Sequence, residues 1–238
     1  MRIEANLAAV HRRIDDAARR VGRDPGGIRL LPVSKTVPEE RIRSAVAAGC
    51  LDLGENKVQE AKRKAENLAD LGVRWSLIGH LQTNKAKDVA AFAHEFQALD
   101  RHRAAAALDR RLQSANKELR VYVQVNTSGE ESKYGLPPEE ALPFLKELPA
   151  YSSLKVQGLM TLAVFSADTE RVRRCFAVLR HLRDEAREEG LVGPGELSMG
   201  MSGDFETAIE EGATCVRVGQ AIFGPRPLPD SHYWPGSA

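Results

Sequence analysis

A chain of 238 residues with 42% hydrophobic content can bury a large core, as one α/β domain or two small ones. Its 34 lysines and arginines against 33 acidic residues leave a formal charge of +1, so the overall balance gives no support to a nucleic acid or other polyanionic partner. Three widely spaced cysteines (Cys50, Cys175, Cys215) fit neither a disulfide framework nor a zinc site. The charged N-terminus lacks the apolar run of a signal peptide, and no stretch reaches membrane-spanning length, so a soluble cytoplasmic protein is expected.

Ile3, Leu7, Val10, Ile14, Ala17 and Val21 recur at helical spacing and predict a leading helix over 3–21, stopped by Gly22 and the Asp24-Pro25-Gly26-Gly27 turn. A strand over 28–35 and a helix over 38–48 follow, then a short strand over 51–54 and a charged helix over 57–71. The alternation continues with strands at 73–78, 95–99, 121–125, 154–160, 196–198 and 214–218. Helices are expected near 84–93, 101–115, 138–146, 169–189 and 204–211. Eight strand candidates in this order predict one (β/α)8 TIM barrel over residues 1–238 with an extra helix in front, and a doubly wound open sheet is the alternative. The turn-rich segment 126–135 reads as a mobile loop at the barrel mouth, and the Pro-rich tail over 225–238 as a surface wrap.

Three stretches carry candidate chemistry. In Leu30-Leu31-Pro32-Val33-Ser34-Lys35-Thr36-Val37-Pro38, strand alternation sets Leu31, Val33 and Lys35 on one face. Thr36 and Glu39 have capping-box spacing, so Lys35 is read as a strand-tip amine at an apolar rim. The competing reading is a surface lysine whose stem covers apolar area. In Leu197 to Glu206 a strand end passes through small residues into a helix start, a natural phosphate cradle in which Ser202 caps the helix, binds the anion, or does both. Asp204 cuts against an anion there. In Thr214 to Gly224, alternation turns Arg217 into the barrel, where it requires a carboxylate or a ligand group, and a structural salt bridge is the simpler answer. Gly219 permits close backbone approach, and the loops after the last two strands, including Gly219 and Gln220, are the usual phosphate site of this barrel. No metal-ligand spacing is present.

One ligand would satisfy all three stretches. A phosphate at the last two loops, a ring nitrogen facing Arg217 and an aldehyde at Lys35 together describe pyridoxal 5′-phosphate held as a Schiff base. The chain also resembles the YggS/PROSC family of pyridoxal phosphate homeostasis proteins, which look like the barrel domain of alanine racemase standing alone. The likeness runs through LLPVSKTVP, GENKVQEAK, SLIGHLQTNK, VNTSGEESKYG, GLMTLA, LSMGMSGDFETAIEEGAT and VRVGQAIFG. It implies that Lys35 carries the Schiff base, that Ser202, Gly219 and Gln220 hold the phosphate, that Arg217 faces the pyridine nitrogen, and that Asn56 and Met160 lie near the ring. Two positions depart from the family pattern. Gly203 replaces an acidic residue and Gln220 a small hydroxyl residue, so the backbone amides survive while a hydroxyl contact at 220 is lost.

A guanidinium only donates and stays charged, so a pyridine nitrogen bonded to it remains unprotonated and the ring is a weak electron sink. Racemisation also needs a second acid-base residue, which the racemase resemblance places in another domain. Of the tyrosines here only Tyr134 is placed to approach the mouth, with loop packing as its simpler role. The expected function is a cofactor carrier in vitamin B6 homeostasis, with little or no turnover of its own. A racemase-like enzyme of low activity is the alternative, and a phosphosugar barrel using Lys35 without the cofactor is a third reading. PLP-dependent apoenzymes are the expected recipients, and a monomer is the expected state.

Overall fold

In a computed structural model that describes residues 3–225, the alternating pattern forms eight parallel strands surrounded by helices. The strands are β1 (Arg29–Pro32), β2 (Asp52–Glu55), β3 (Arg74–Leu77), β4 (Ala93–Leu99), β5 (Leu119–Gln124), β6 (Leu154–Met160), β7 (Glu196–Ser198) and β8 (Cys215–Val218). From β2 to β8 each strand pairs with the next in sequence, and β8 pairs with β1. A parallel bridge between Val33 and Gly54 joins β1 to β2 and completes the ring. This is the (β/α)8 barrel, since an open doubly wound sheet would leave β1 and β8 apart.

The helices are α1 (Ile3–Arg20), α2 (Glu39–Ala47), α3 (Val58–Asn67), α4 (Ala86–Phe92), α5 (His102–Ser114), α6 (Ala141–Glu147), α7 (Thr169–Glu188), α8 (Phe205–Glu210) and α9 (Gln220–Phe223). The leading helix buries Ile3, Leu7, Val10, Ile14 and Ala17, the stripe expected from its spacing, while Val21 falls beyond its end and is exposed. It lies over α8 and α9, with Asn6 Nδ2 donating to the Ile222 carbonyl at 2.8 Å and Arg13 paired to Glu206 at 2.7 Å.

Several boundaries differ from the sequence expectation for local reasons. The first strand ends at Pro32, with only the Val33–Gly54 bridge beyond it, and the left-handed Thr36 (φ 62°) turns the chain after Lys35. That same geometry removes the capping box: the α2 cap is Pro38, with no side-chain hydrogen bond. The α8 cap is Asp204 rather than Ser202. The short α9 went unforeseen because a four-residue helix is too brief to show a period. In the 126–135 segment, Asn126 Nδ2 donates to the carbonyls of Glu130 and Lys133, and Gln124 Nε2 to that of Tyr134. Of the Pro-rich tail, 226–238 lie outside the described residues.

The barrel interior is polar. Arg29 on β1 bonds both Glu95 oxygens on β4 at 3.0 Å, and these strands are not neighbours in the sheet, so the pair crosses the interior. Apolar packing concentrates between the wall and the helices, where Ile42, Ala45, Leu53, Val58 and Ala61 are buried. Every parallel strand points its C-terminal end to the same mouth, which gathers the loops carrying Lys35, Asn56, Thr161, Ser202 and Gly219.

Candidate functional site

Lys35 sits half-buried in a turn just beyond β1, and both of its neighbours are fixed. Ser34 is fully buried. Its N–H donates to the Gly54 carbonyl at 2.9 Å, its hydroxyl to Glu55 Oε1 at 2.6 Å, and its carbonyl accepts from Lys64 Nζ at 2.7 Å. On the other side the Thr36 N–H donates to Glu60 Oε1 at 2.7 Å. Lys64 is wholly buried and pairs with Glu55 at 2.8 Å and Glu60 at 2.7 Å. Burial pushes the Glu55 carboxyl up to about 6; Lys64 pulls against this and Glu60 adds to it.

Arg217 on β8 points into the barrel, as strand alternation required, and is 3% exposed. The expected salt bridge is absent: among the described residues Arg217 makes no ion pair. Its Nη1 donates to Ser198 Oγ at 2.6 Å and its Nη2 to the Thr161 carbonyl at 2.7 Å. The donor sense is forced from there. Ser198 accepts from the guanidinium, so its own proton goes to Gln97 Oε1 at 2.6 Å, and Gln97 Nε2 donates to Glu95 Oε1 at 2.6 Å. Two neutral side chains thus lead from Arg217 to Glu95, a buried carboxylate already paired with Arg29. Burial lowers the Arg217 pKa, while Asp204 acts in the opposite direction.

The remaining candidates lie around the same mouth. Met160 ends β6, fully buried, beside Ser198 in register. Asn56 follows β2, and Gly79 passes so close that a Cβ there would lie 2.0 Å from the Asn56 carbonyl oxygen. Gly219 packs on the end of β1, where a Cβ would meet the Val33 carbonyl oxygen at 3.1 Å, and Gln220 opens α9. Ser202 lies in the turn before α8, half-buried. Asp204 Oδ1 accepts from the Met201 N–H at 2.6 Å, and burial raises its pKa against the pull of that bond and of Arg217. Tyr134 stacks on His80, ring centroids 3.9 Å apart, and remains exposed, so its observed contact is packing between two mouth loops.

Sequence reasoning missed the residues behind the named ones: Ser34, Glu55, Glu60 and Lys64 around Lys35, and Thr161, Ser198, Gln97 and Glu95 behind Arg217. Polar residues at inward positions of β4 and β7 were the available signal for the second set. Lys64 gave none, since a lysine on a charged helix reads as solvated.

The sequence profile of the alanine racemase N-terminal domain matches residues 5–227. A pyridoxal phosphate homeostasis protein of Aquifex aeolicus is 44% identical over 223 residues, covering 92% of this chain and 96% of that one. A human protein of the same name is 38% identical, covering 94% of this chain and 88% of that one. Among solved structures, PipY of Synechococcus elongatus with pyridoxal phosphate bound superposes with a TM-score of 0.81 at 32% identity, over 93% of this chain and 100% of the other. Alanine racemase of Streptomyces lavendulae, at 18% identity and a TM-score of 0.73, shares the fold; the match covers 96% of this chain and 58% of that enzyme.

Proposed function

The chain belongs to the pyridoxal phosphate homeostasis proteins, built on the alanine racemase N-terminal domain, and on that premise we propose that it binds pyridoxal 5′-phosphate and acts in vitamin B6 homeostasis. In this reading residues 1–238 form one cofactor-binding barrel domain, monomeric and cytoplasmic, which holds the cofactor as a Schiff base on Lys35 and passes it to PLP-dependent apoenzymes. The observation that carries it is Arg217: a buried guanidinium at the barrel mouth that makes no ion pair among the described residues, on the strand paired to the one that delivers Lys35.

The residues present fit the group. When bound, the cofactor supplies an aldehyde for covalent capture and a pyridine ring able to take up electrons. Lys35 would hold the cofactor through its amine, a C=N bond to the aldehyde carbon replacing the C=O bond with release of water and no change in oxidation state. Arg217 would donate to the ring nitrogen and keep it unprotonated, which would disfavour carbanion chemistry and supports a carrier over an enzyme. Gly219, Gln220 and Ser202 present the phosphate amides, and Gly219 has no Cβ to crowd them. Asn56 and Met160 border the ring.

Borohydride reduction followed by peptide mass spectrometry tests the site. A pyridoxyl adduct on the peptide containing Lys35 is expected, and an adduct elsewhere or none would refute it. Incubation with D- and L-alanine tests the role: substantial turnover abolished by Lys35→Ala would replace the carrier reading with a racemase-like one.

A further inference from the structure

A charge cluster is buried behind β1. Lys64 is wholly buried between two carboxylates, and one of them, Glu55, has its second oxygen buried with no hydrogen-bond partner. Buried ion clusters of this kind are weak stabilisers compared with apolar side chains of similar size, and an unpartnered carboxylate oxygen adds a further cost. Thr36 is also held at φ 62°, a conformation that disfavours a β-branched residue.

These costs converge on one turn. Lys64 holds the Ser34 carbonyl, Glu55 holds the Ser34 hydroxyl, and Glu60 holds the Thr36 N–H. The three contacts grip the peptide on both sides of Lys35. Helix α3 supplies two of them four residues apart, so one helical turn reaches both sides. We propose that Lys64, Glu60 and Glu55 are positioning residues that brace the Lys35 turn, aiming its amine for reversible covalent capture of the cofactor aldehyde. The brace acts on capture alone, because the phosphate loops are held by β7 and β8 on the far side of Lys35 from α3.

This rests on the Lys35 reading, and one experiment separates the two. Wild type, Glu60→Ala and Lys64→Met are stripped of cofactor. Adduct formation with pyridoxal 5′-phosphate is followed by absorbance, and binding of pyridoxine 5′-phosphate, which has the ring and phosphate but no aldehyde, by calorimetry. Glu60→Ala leaves the buried Lys64–Glu55 pair intact and is expected to fold, which keeps the test decisive if Lys64→Met does not. The expected result is an adduct-formation rate at least about tenfold lower, the scale on which misplaced reactive groups lose rate, with pyridoxine 5′-phosphate affinity unchanged. Equal losses for both ligands, or no loss for either, would overturn the brace. Peptide mapping of the reduced wild-type adduct reports on Lys35 separately: an adduct elsewhere removes the premise itself.

Discussion

Glu55→Gln isolates the ionisation of the most deeply placed carboxyl in the Lys35 turn. Glu55 is wholly buried, accepts from Ser34 at 2.6 Å and Lys64 at 2.8 Å, and has a pKa pushed up to about 6 from an ordinary 4.5, chiefly by burial. A raised folded-state pKa means the folded protein holds this proton more tightly than the unfolded chain. Its contribution to stability is therefore full below pH 4.5 and is lost as the pH rises through 6. About 1.5 pH units at about 1.36 kcal/mol each comes to about 2 kcal/mol. Glutamine keeps the shape and the acceptor toward Lys64 but cannot ionise. Urea denaturation of both proteins from pH 4.5 to 7.5, compared as a difference, cancels the titrations they share. The stability of wild type relative to the glutamine variant is expected to fall by about 2 kcal/mol across that range. A flat difference, or one rising with pH, would refute the assignment of the shift to burial at this site.

Lys35→Ala is expected to abolish the borohydride-stable adduct while changing unfolding free energy by less than about 1 kcal/mol, since Lys35 lies in a half-exposed turn outside the apolar core. A urea midpoint beside a mass spectrum checks both halves. Thr36→Gly removes a left-handed threonine at φ 62° and is expected to raise stability by about 0.5–1 kcal/mol, the relieved strain less the backbone entropy of glycine; a lower midpoint contradicts it. In Gly79→Ala the added Cβ would sit 2.0 Å from the Asn56 carbonyl oxygen, so backbone must move. A loss of about 1–3 kcal/mol in denaturation, with weaker cofactor binding in titration as Asn56 is displaced, is the expected outcome.

The sequence made the barrel legible because eight apolar runs alternated with helical periods, and the closing pairs β1–β8 and Val33–Gly54 only completed what the order implied. The inward face of Arg217 followed from a period of two, whereas Lys35, expected at a strand tip, lies in a turn beyond the end of β1 at Pro32. The supporting shell did not follow, because its contacts join residues far apart in the chain. Ser198 and Gln97 are 101 positions apart, and Lys64 reaches Ser34 from 30 away. Local rules also misled at Thr36, where capping-box spacing is present but the backbone is left-handed and its N–H serves Glu60 instead.

The two buried charge systems at the mouth are built on opposite plans, and the contrast bears on the carrier reading. Around Lys64, two carboxylates lie in direct contact with the cation, which locks geometry at the expense of reactivity. Around Arg217, Ser198 and Gln97 stand between the guanidinium and Glu95, which Arg29 already pairs, so the guanidinium presents its charge at the point where a ring nitrogen would meet it. A carboxylate in direct contact would neutralise that field locally, and one at the nitrogen itself would favour a protonated ring, the arrangement carbanion chemistry wants. The relay instead fixes the direction of every proton from Arg217 to Glu95, leaving no site on that path that could pass a proton to the ring. Under the proposed reading, one network aims the amine and the other keeps the ring a poor electron sink, a division suited to holding and releasing the cofactor without transforming what it meets.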